Sequence, residues 1–144
     1  MASCVFCAIV SGEVSAHRVA EEVDVIAFLD VRPVFEGHVL VVPRVHVVDF
    51  TALPTEALGP LFQLGQRVAR ALESGLGADG AFVALNHRVS QSVPHVHLHV
   101  VPRRKGDGLR GFFWPRRKYA SEEAAEAVAA RIRGALHPSL PAAQ

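Results

Sequence analysis

The sequence predicts an α+β domain: an antiparallel sheet, one long helix and a C-terminal helix. Three observations lead there. A single long stretch of helical periodicity runs from about Pro54 to about Ser74. The short β-type runs around it follow one another by short turns, which favours antiparallel pairing over a doubly wound parallel sheet. The chain has 144 residues, half of them hydrophobic, which suits one domain with its own core. We place that domain over residues 1–137 and read 138–144 as a frayed tail.

Taken in order, Cys4 to Val10 reads as a short helix or turn closed by Gly12. A turn near Glu22 to Asp24 leads into Val25-Ile26-Ala27-Phe28-Leu29, a short buried strand. Asp30 to Gly37 holds Pro33 and Gly37 and reads as a loop. His38-Val39-Leu40-Val41-Val42 is a strand stopped by Pro43, which has no N–H for a ladder. In the long helix, Leu58, Leu61, Phe62, Val68, Ala69 and Leu72 form the inner stripe. Pro54 suits its first turn, and Gly75 and Gly77 suit its end. Phe82 to Leu85 and His95 to Val101 are further strands, the second ended by Pro102. Ser121 is the N-cap of the last helix, with Glu122 and Glu123 beside its positive end and Ala125, Val128, Ala129 and Ile132 as its inner stripe.

The formal net charge of +1 gives no reason to expect a nucleic acid or another polyanionic macromolecule as partner. Two basic runs, Arg103-Arg104-Lys105 and Arg116-Arg117-Lys118, are either a solvated surface or a rim that attracts phosphate-bearing ligands. No stretch approaches the ~20 apolar residues of a membrane span. The opening Met1-Ala2-Ser3-Cys4 lacks the basic region of a signal peptide, so a cytoplasmic location is expected. There, Cys4-x-x-Cys7 points to a metal site or a redox pair before a structural disulfide.

The segment His95-Val96-His97-Leu98-His99 carries the chemistry. On a strand, its three histidines share one face and Val96, Leu98 and Val100 the other. The apolar set accounts for the strand but not for the imidazoles, which must be solvated, hydrogen-bonded or bound to something. Neighbours on one face lie roughly 6.5–7 Å apart, so two adjacent rings can share an ion and all three cannot. Imidazole also titrates near neutrality and attacks phosphorus competently. The residues alone leave an exposed face, a metal site and covalent catalysis open.

The segment resembles the histidine-triad (HIT) superfamily. So do the approach Ser90-Gln91-Ser92-Val93-Pro94, the upstream Ala27-Phe28-Leu29-Asp30 and Gly37-His38-Val39-Leu40-Val41-Val42-Pro43, and the opening Cys4-Val5-Phe6-Cys7. The likeness covers residues 4–105 in the family's order. It implies a HIT-like fold with a sheet of about five strands, dimerising across the sheet. It also implies a hydrolase or transferase that cleaves a nucleoside monophosphate, AMP foremost, from its leaving group. His97 is then the nucleophile that forms a nucleotidyl-histidine, His99 contacts the phosphate and His38 supports the nucleophile. Asn86, Gln91 and Ser92 match phosphate contacts, and Asp30 the acid that accepts from the ribose hydroxyls. Phe6, Ile9, Phe28 and Val31 match the apolar base pocket. The family's usual glycine before Gln-Ser is Ser90 here, and His87 matches no role.

Bacterial-type relatives hold structural zinc with a set that corresponds to Cys4, Cys7, His46 and His95, leaving no catalytic cofactor to invoke. The substrate is a nucleoside 5′-phosphoramidate or a dinucleoside polyphosphate. The basic run at 103–105 argues weakly for the second. The competing functions are a metal-dependent hydrolase with the triad as ligands, and a nucleotide-binding protein without turnover. Phe112-Phe113-Trp114-Pro115 is either a packing loop or a specificity element near the leaving group.

Overall fold

The computed structural model describes residues 3–109 and 116–136. The Phe112–Pro115 segment and the expected tail at 138–144 lie outside the described residues. The chain divides into two compact units, Met1–Asp107 and Gly108–Gln144.

The first unit holds a five-stranded antiparallel sheet, in the order β1-β2-β3-β5-β4. Its elements are α1 (Val5–Ser11), β1 (Arg18–Glu21), β2 (Val25–Leu29), β3 (Val39–Pro43), a 3-10 turn (Phe50–Ala52), α2 (Thr55–Leu76), β4 (Gly80–Ala84) and β5 (Leu98–Arg103). Two of the three interior strands, β2 and β3, are buried nearly throughout. They are covered on both faces, which explains why they read as continuous apolar runs rather than alternating ones.

Each strand sends alternate residues to opposite layers. Val25 and Ala27 of β2, Val39 and Val41 of β3, and Leu98 and Val100 of β5 pack against Leu61, Leu64, Val68 and Leu72 of α2. Ile26, Phe28, Leu40 and Val42 face the other way and pack against Phe6 and Ile9 of α1. Each fully buried aliphatic side chain contributes about 1.5–3 kcal/mol by leaving water. Gly65 lets α2 come close to the sheet, because a Cβ there would lie 2.6 Å from a Leu98 methyl. Gly12 closes α1 in the left-handed region at φ 85°, its N–H bonded to the Ile9 carbonyl.

Several sequence expectations need correction. Pro54 is the cap residue before α2 rather than part of its first turn, and Gly75 lies inside the helix. The stop is Gly77, left-handed at φ 67°. Phe62 is 44% exposed, because the buried stripe runs through Leu61, Leu64, Gly65, Val68 and Leu72. The fourth strand starts at Gly80, before Phe82, and ends at Ala84. His38 precedes β3, and Pro43 belongs to it. Above all, β5 starts at Leu98 and runs through Pro102, so His95 and His97 lie in the extended approach to it. Pairing with β3 reaches only Val41↔Leu98, and the Val96 N–H bonds instead to the Val47 carbonyl.

In the second unit, α3 (Glu122–Ala135) is capped as expected, with the Ser121 side chain accepting from the Ala124 N–H. Ile132, expected on its inner stripe, is 63% exposed.

Candidate functional site: a file of histidines and a thiol pair

The layer beneath α1 becomes polar where the chain approaches β5. His38, His95 and His97 are all under 5% exposed, and their rings form a file with Phe6 and His99. The Phe6 ring meets both His95 and His97 edge-on, at centroid distances of 5.8 and 5.1 Å. His97 meets His99 at 5.0 Å, and His99 meets His38 at 5.1 Å.

Backbone partners fix which ring nitrogens carry protons. His97 Nδ1 lies 2.7 Å from the His95 carbonyl. A carbonyl only accepts, so Nδ1 carries the hydrogen and Nε2 keeps its lone pair. His95 Nε2 lies 2.8 Å from the Pro43 carbonyl. It donates there, leaving Nδ1 with the lone pair. The Val34 N–H donates to His38 Nδ1 at 3.1 Å. His38 therefore holds its proton on Nε2, 2.9 Å from His99 Nδ1 and 3.7 Å from an Asp30 carboxylate oxygen. It donates to His99 Nδ1, and the proton of neutral His99 sits on Nε2.

The lone pair of His95 Nδ1 faces two sulfurs, Cys4 Sγ at 3.4 Å and Cys7 Sγ at 3.6 Å, and His46 Nδ1 lies 3.4 Å from Cys7 Sγ. The ligating atoms of Cys4, Cys7, His46 and His95 all lie within 4.8 Å of one another. Metal–ligand bonds of 2.0–2.3 Å in a tetrahedron put such atoms about 3.3–3.8 Å apart, so the spacing and the donor set both suit zinc. The hydrogen bond from His95 to Pro43 is the outer support such a ligand uses. Burial, and then Cys4, push the Cys7 thiol up. A bound cation would reverse that by stabilising thiolate.

Asp30, His38 and His99 form a second group of ligating atoms within 4.8 Å. Its hydrogen bonds oppose a metal. A ligating His38 Nε2 would send the proton to Nδ1, where it would face the Val34 N–H donor.

Of the other expected site residues, Phe6, Ile9 and Phe28 share the apolar cluster beside His97. Val31 is 85% exposed, away from that cluster. Asp30 accepts from the Arg32 N–H at 2.8 Å and lies 3.7 Å from His38 Nε2 through its other carboxylate oxygen. Asn86 donates to the Ser90 carbonyl at 3.1 Å, and Gln91 donates to the Val48 carbonyl at 2.7 Å, so both shape the approach loop. Ser92 is exposed. The basic run is held by structure: Arg103 pairs with Asp107, and Arg104 bonds to the Leu76 carbonyl. That weakens its case as a polyphosphate rim.

Burial sets the protonation of the file. It holds His38 and His95 below the usual imidazole range and His99 at about 4, where His97 and His38 add to the effect. These groups bind protons more weakly folded than unfolded. Their contribution to stability is complete above pH ~6.5 and is lost as pH falls toward 4. We expect the melting temperature to drop by on the order of 5 °C or more between pH 7 and 4.5. A His99→Gln variant, scanned in the same buffers, should give a shallower slope; an equal slope would remove His99 from the account.

Comparison with known proteins meets this geometry. The HIT domain family model matches residues 11–106. A HIT-like protein of Mycobacterium tuberculosis is 48% identical over 108 residues, covering 74% of this chain and 75% of its own. The adenosine 5′-monophosphoramidase of Schizosaccharomyces pombe is 33% identical over 123 residues, 84% of this chain and 90% of its own. The crystal structure of a zinc-bound histidine triad family protein from Mycobacterium smegmatis superposes with a TM-score of 0.72 at 44% identity, covering 93% of this chain and 98% of that one.

Proposed function

This chain belongs to the HIT domain family, and from that premise we propose that it releases a nucleoside monophosphate, AMP foremost, through a nucleotidyl-histidine intermediate on His97. The observation that carries the reading is the hydrogen bond from His97 Nδ1–H to the His95 carbonyl, at 2.7 Å. It leaves Nε2 as an oriented lone pair beside His99.

In the first step, Nε2 attacks the α-phosphorus. The P–N bond of a phosphoramidate, or the P–O bond of an anhydride, breaks, and its electron pair leaves with the departing group; a departing amine takes up a proton from solvent, which the attacking water returns in the second step. His99, fed by the His38 Nε2–H, presents its own Nε2–H toward the phosphate. Water then attacks phosphorus, the P–Nε2 bond breaks, and AMP leaves. Asp30 meets the ribose hydroxyls, Phe6, Ile9 and Phe28 the base, and Ser92 the phosphate, while Gln91 holds the loop through its bonds to the Val48 and Val93 carbonyls. The named phosphoramidase relative favours an amine leaving group. AMP release from adenosine 5′-phosphoramidate, by the parent and by His97→Ala, tests the reading. A release that continues without His97 but stops with chelator would favour the metal-dependent hydrolase instead.

Cys4, Cys7, His46 and His95 are the residues that would hold zinc. Bound there, the ion would supply structure, tying α1 and its Phe6 to the segment that carries His97. Assembly is a homodimer through the β4 side. β4 is an edge strand, and its own Val83 and Phe62 of α2 are 45% and 44% exposed. Sedimentation should find a dimer that Val83→Arg or Phe62→Arg shifts toward monomer. A parent that sediments as a monomer would end that part of the reading.

A further inference from the structure

The loop from Asn86 to Pro94 holds two residues in a costly conformation. Arg88 and Ser90 are left-handed, at φ 65° and 60°. Non-glycine residues stay there only when their surroundings over-determine them. Within the loop, the Arg88 N–H donates to Gln91 Oε1 at 3.0 Å, Asn86 donates to the Ser90 carbonyl, and the Gln91 N–H donates to the Arg88 carbonyl at 3.3 Å. These bonds close the loop on itself but do not attach it to the sheet.

The attachment comes from the segment before α2. Asp49 is 8% exposed. One of its oxygens accepts from Thr51 Oγ1 at 2.9 Å and from the Ala52 N–H at 3.2 Å, which caps the 3-10 turn. The other accepts from Arg88 Nε at 2.9 Å. Gln91 Nε2 adds its bond to the neighbouring Val48 carbonyl. His87 Nδ1, buried and without a hydrogen-bond partner among the described residues, lies 3.9 Å from the capping oxygen of Asp49. Arg88, with Thr51 next, holds the Asp49 carboxyl at about 2, so the ion pair persists at any neutral pH.

We infer that Asp49 is a positioning residue, acting through Arg88 to hold the 86–94 loop, braced from inside by Gln91, in the shape that brings Ser92 to the substrate phosphate. The inference rests on the phosphate reading of that loop under Proposed function. Asp49 and Arg88 themselves touch no reacting atom. The carboxylate is fixed in advance by the 3-10 turn, so the loop is locked against a rigid element rather than a mobile side chain. This is preorganisation of the kind in which small displacements cost large factors in rate.

The test uses Arg88→Ala, which leaves the Asp49 cap intact and removes a side chain that is 69% exposed. Parent, Arg88→Ala, Arg88→Ala/Ser90→Gly and His97→Ala are compared. We expect kcat/KM for adenosine 5′-phosphoramidate to fall roughly 10- to 100-fold in Arg88→Ala. The amides of Val89 and Gln91 should exchange hydrogen faster, while the melting temperature stays within about 2 °C of the parent's. Glycine accepts the left-handed backbone without cost, so adding Ser90→Gly should recover several-fold of the lost kcat/KM. A merely structural role would not produce that rescue. Parent kinetics in Arg88→Ala, with His97→Ala inactive, would overturn the inference and leave the nucleotidyl-histidine reading standing. Unchanged exchange at the loop amides overturns it whatever the activity. If the parent itself releases no AMP, the functional reading fails and the positioning role fails with it, even if the loop exchanges faster.

Discussion

Replacing His97 with alanine should abolish AMP release from adenosine 5′-phosphoramidate, with a loss of at least ~10³-fold in kcat. The magnitude follows from what the side chain does. His95 also has its tautomer set by a backbone acceptor, but among the described residues of the file only His97 keeps an unprotonated nitrogen that no neighbouring donor or sulfur engages. His99 Nδ1 is occupied by His38, and His95 Nδ1 faces the two thiols. Removing Nε2 therefore removes the covalent route instead of slowing it. His97 is 4% exposed and lies against Phe6, so the truncation also opens a hole. His97→Gln fills more of that space and serves as the folding control. Rapid mixing of the parent with substrate should trap a stoichiometric nucleotidyl adduct, stable to denaturation and absent from both variants. AMP release at parental rates by a folded His97→Gln protein would sink the mechanism. AMP binding with no adduct and no release would favour a nucleotide-binding protein.

The legible part of this molecule was the part governed by local pattern. The continuous apolar runs gave β2 and β3, the helical period gave α2, and Ser121 with its two glutamates gave the start of α3. β1 escaped notice because Arg18-Val19-Ala20-Glu21 is a short, mostly exposed edge strand with no apolar face to betray it. The start of β5 was misplaced for a different reason. His95 to His97 alternate like a strand, but the chain after Val41 carries its carbonyls elsewhere, so Pro43 receives His95 Nε2 and Val47 receives the Val96 N–H. The contacts that make the site are long-range pairings between rings and sulfurs. Cys4 meets His95 across 91 positions, and His38 meets His99 across 61. Periodicity says nothing about these; the family resemblance suggested the first and set His38 to support the nucleophile His97, whereas its ring bonds to His99. The Asp49–Arg88 pair belongs to no motif, and Asp49 before a turn has many uses. Ser90 was visible as a departure from the family's glycine, and its φ of 60° shows why glycine suits that place.

Stripping metal from the thiol–imidazole cluster, or replacing Cys4 or Cys7 with serine, should lower the melting temperature by on the order of 10 °C, because a structural metal site carries several kcal/mol of folding free energy. Protein purified without chelator should hold an equimolar complement of zinc, and each serine variant much less. The physical reason lies in what the cluster joins. α1 is only seven residues long, too short to be stable by itself, and its two buried side chains, Phe6 and Ile9, are its apolar hold on the sheet. Cys4 and Cys7 bracket its first turn, and His46 and His95 anchor the other side. Loss of that tie frees Phe6 from the edges of His95 and His97. The His97 Nδ1–H···O=C bond lies within the chain segment itself and should survive. Activity should therefore fall by less than the His97 variants lose, with KM rising more than kcat falls, because the base pocket is what α1 supplies. Readdition of zinc to the chelated parent should restore both melting temperature and KM, and should not rescue Cys4→Ser. A parent that contains no zinc and melts identically with and without chelator would refute the metal assignment and leave two half-buried thiols beside His95.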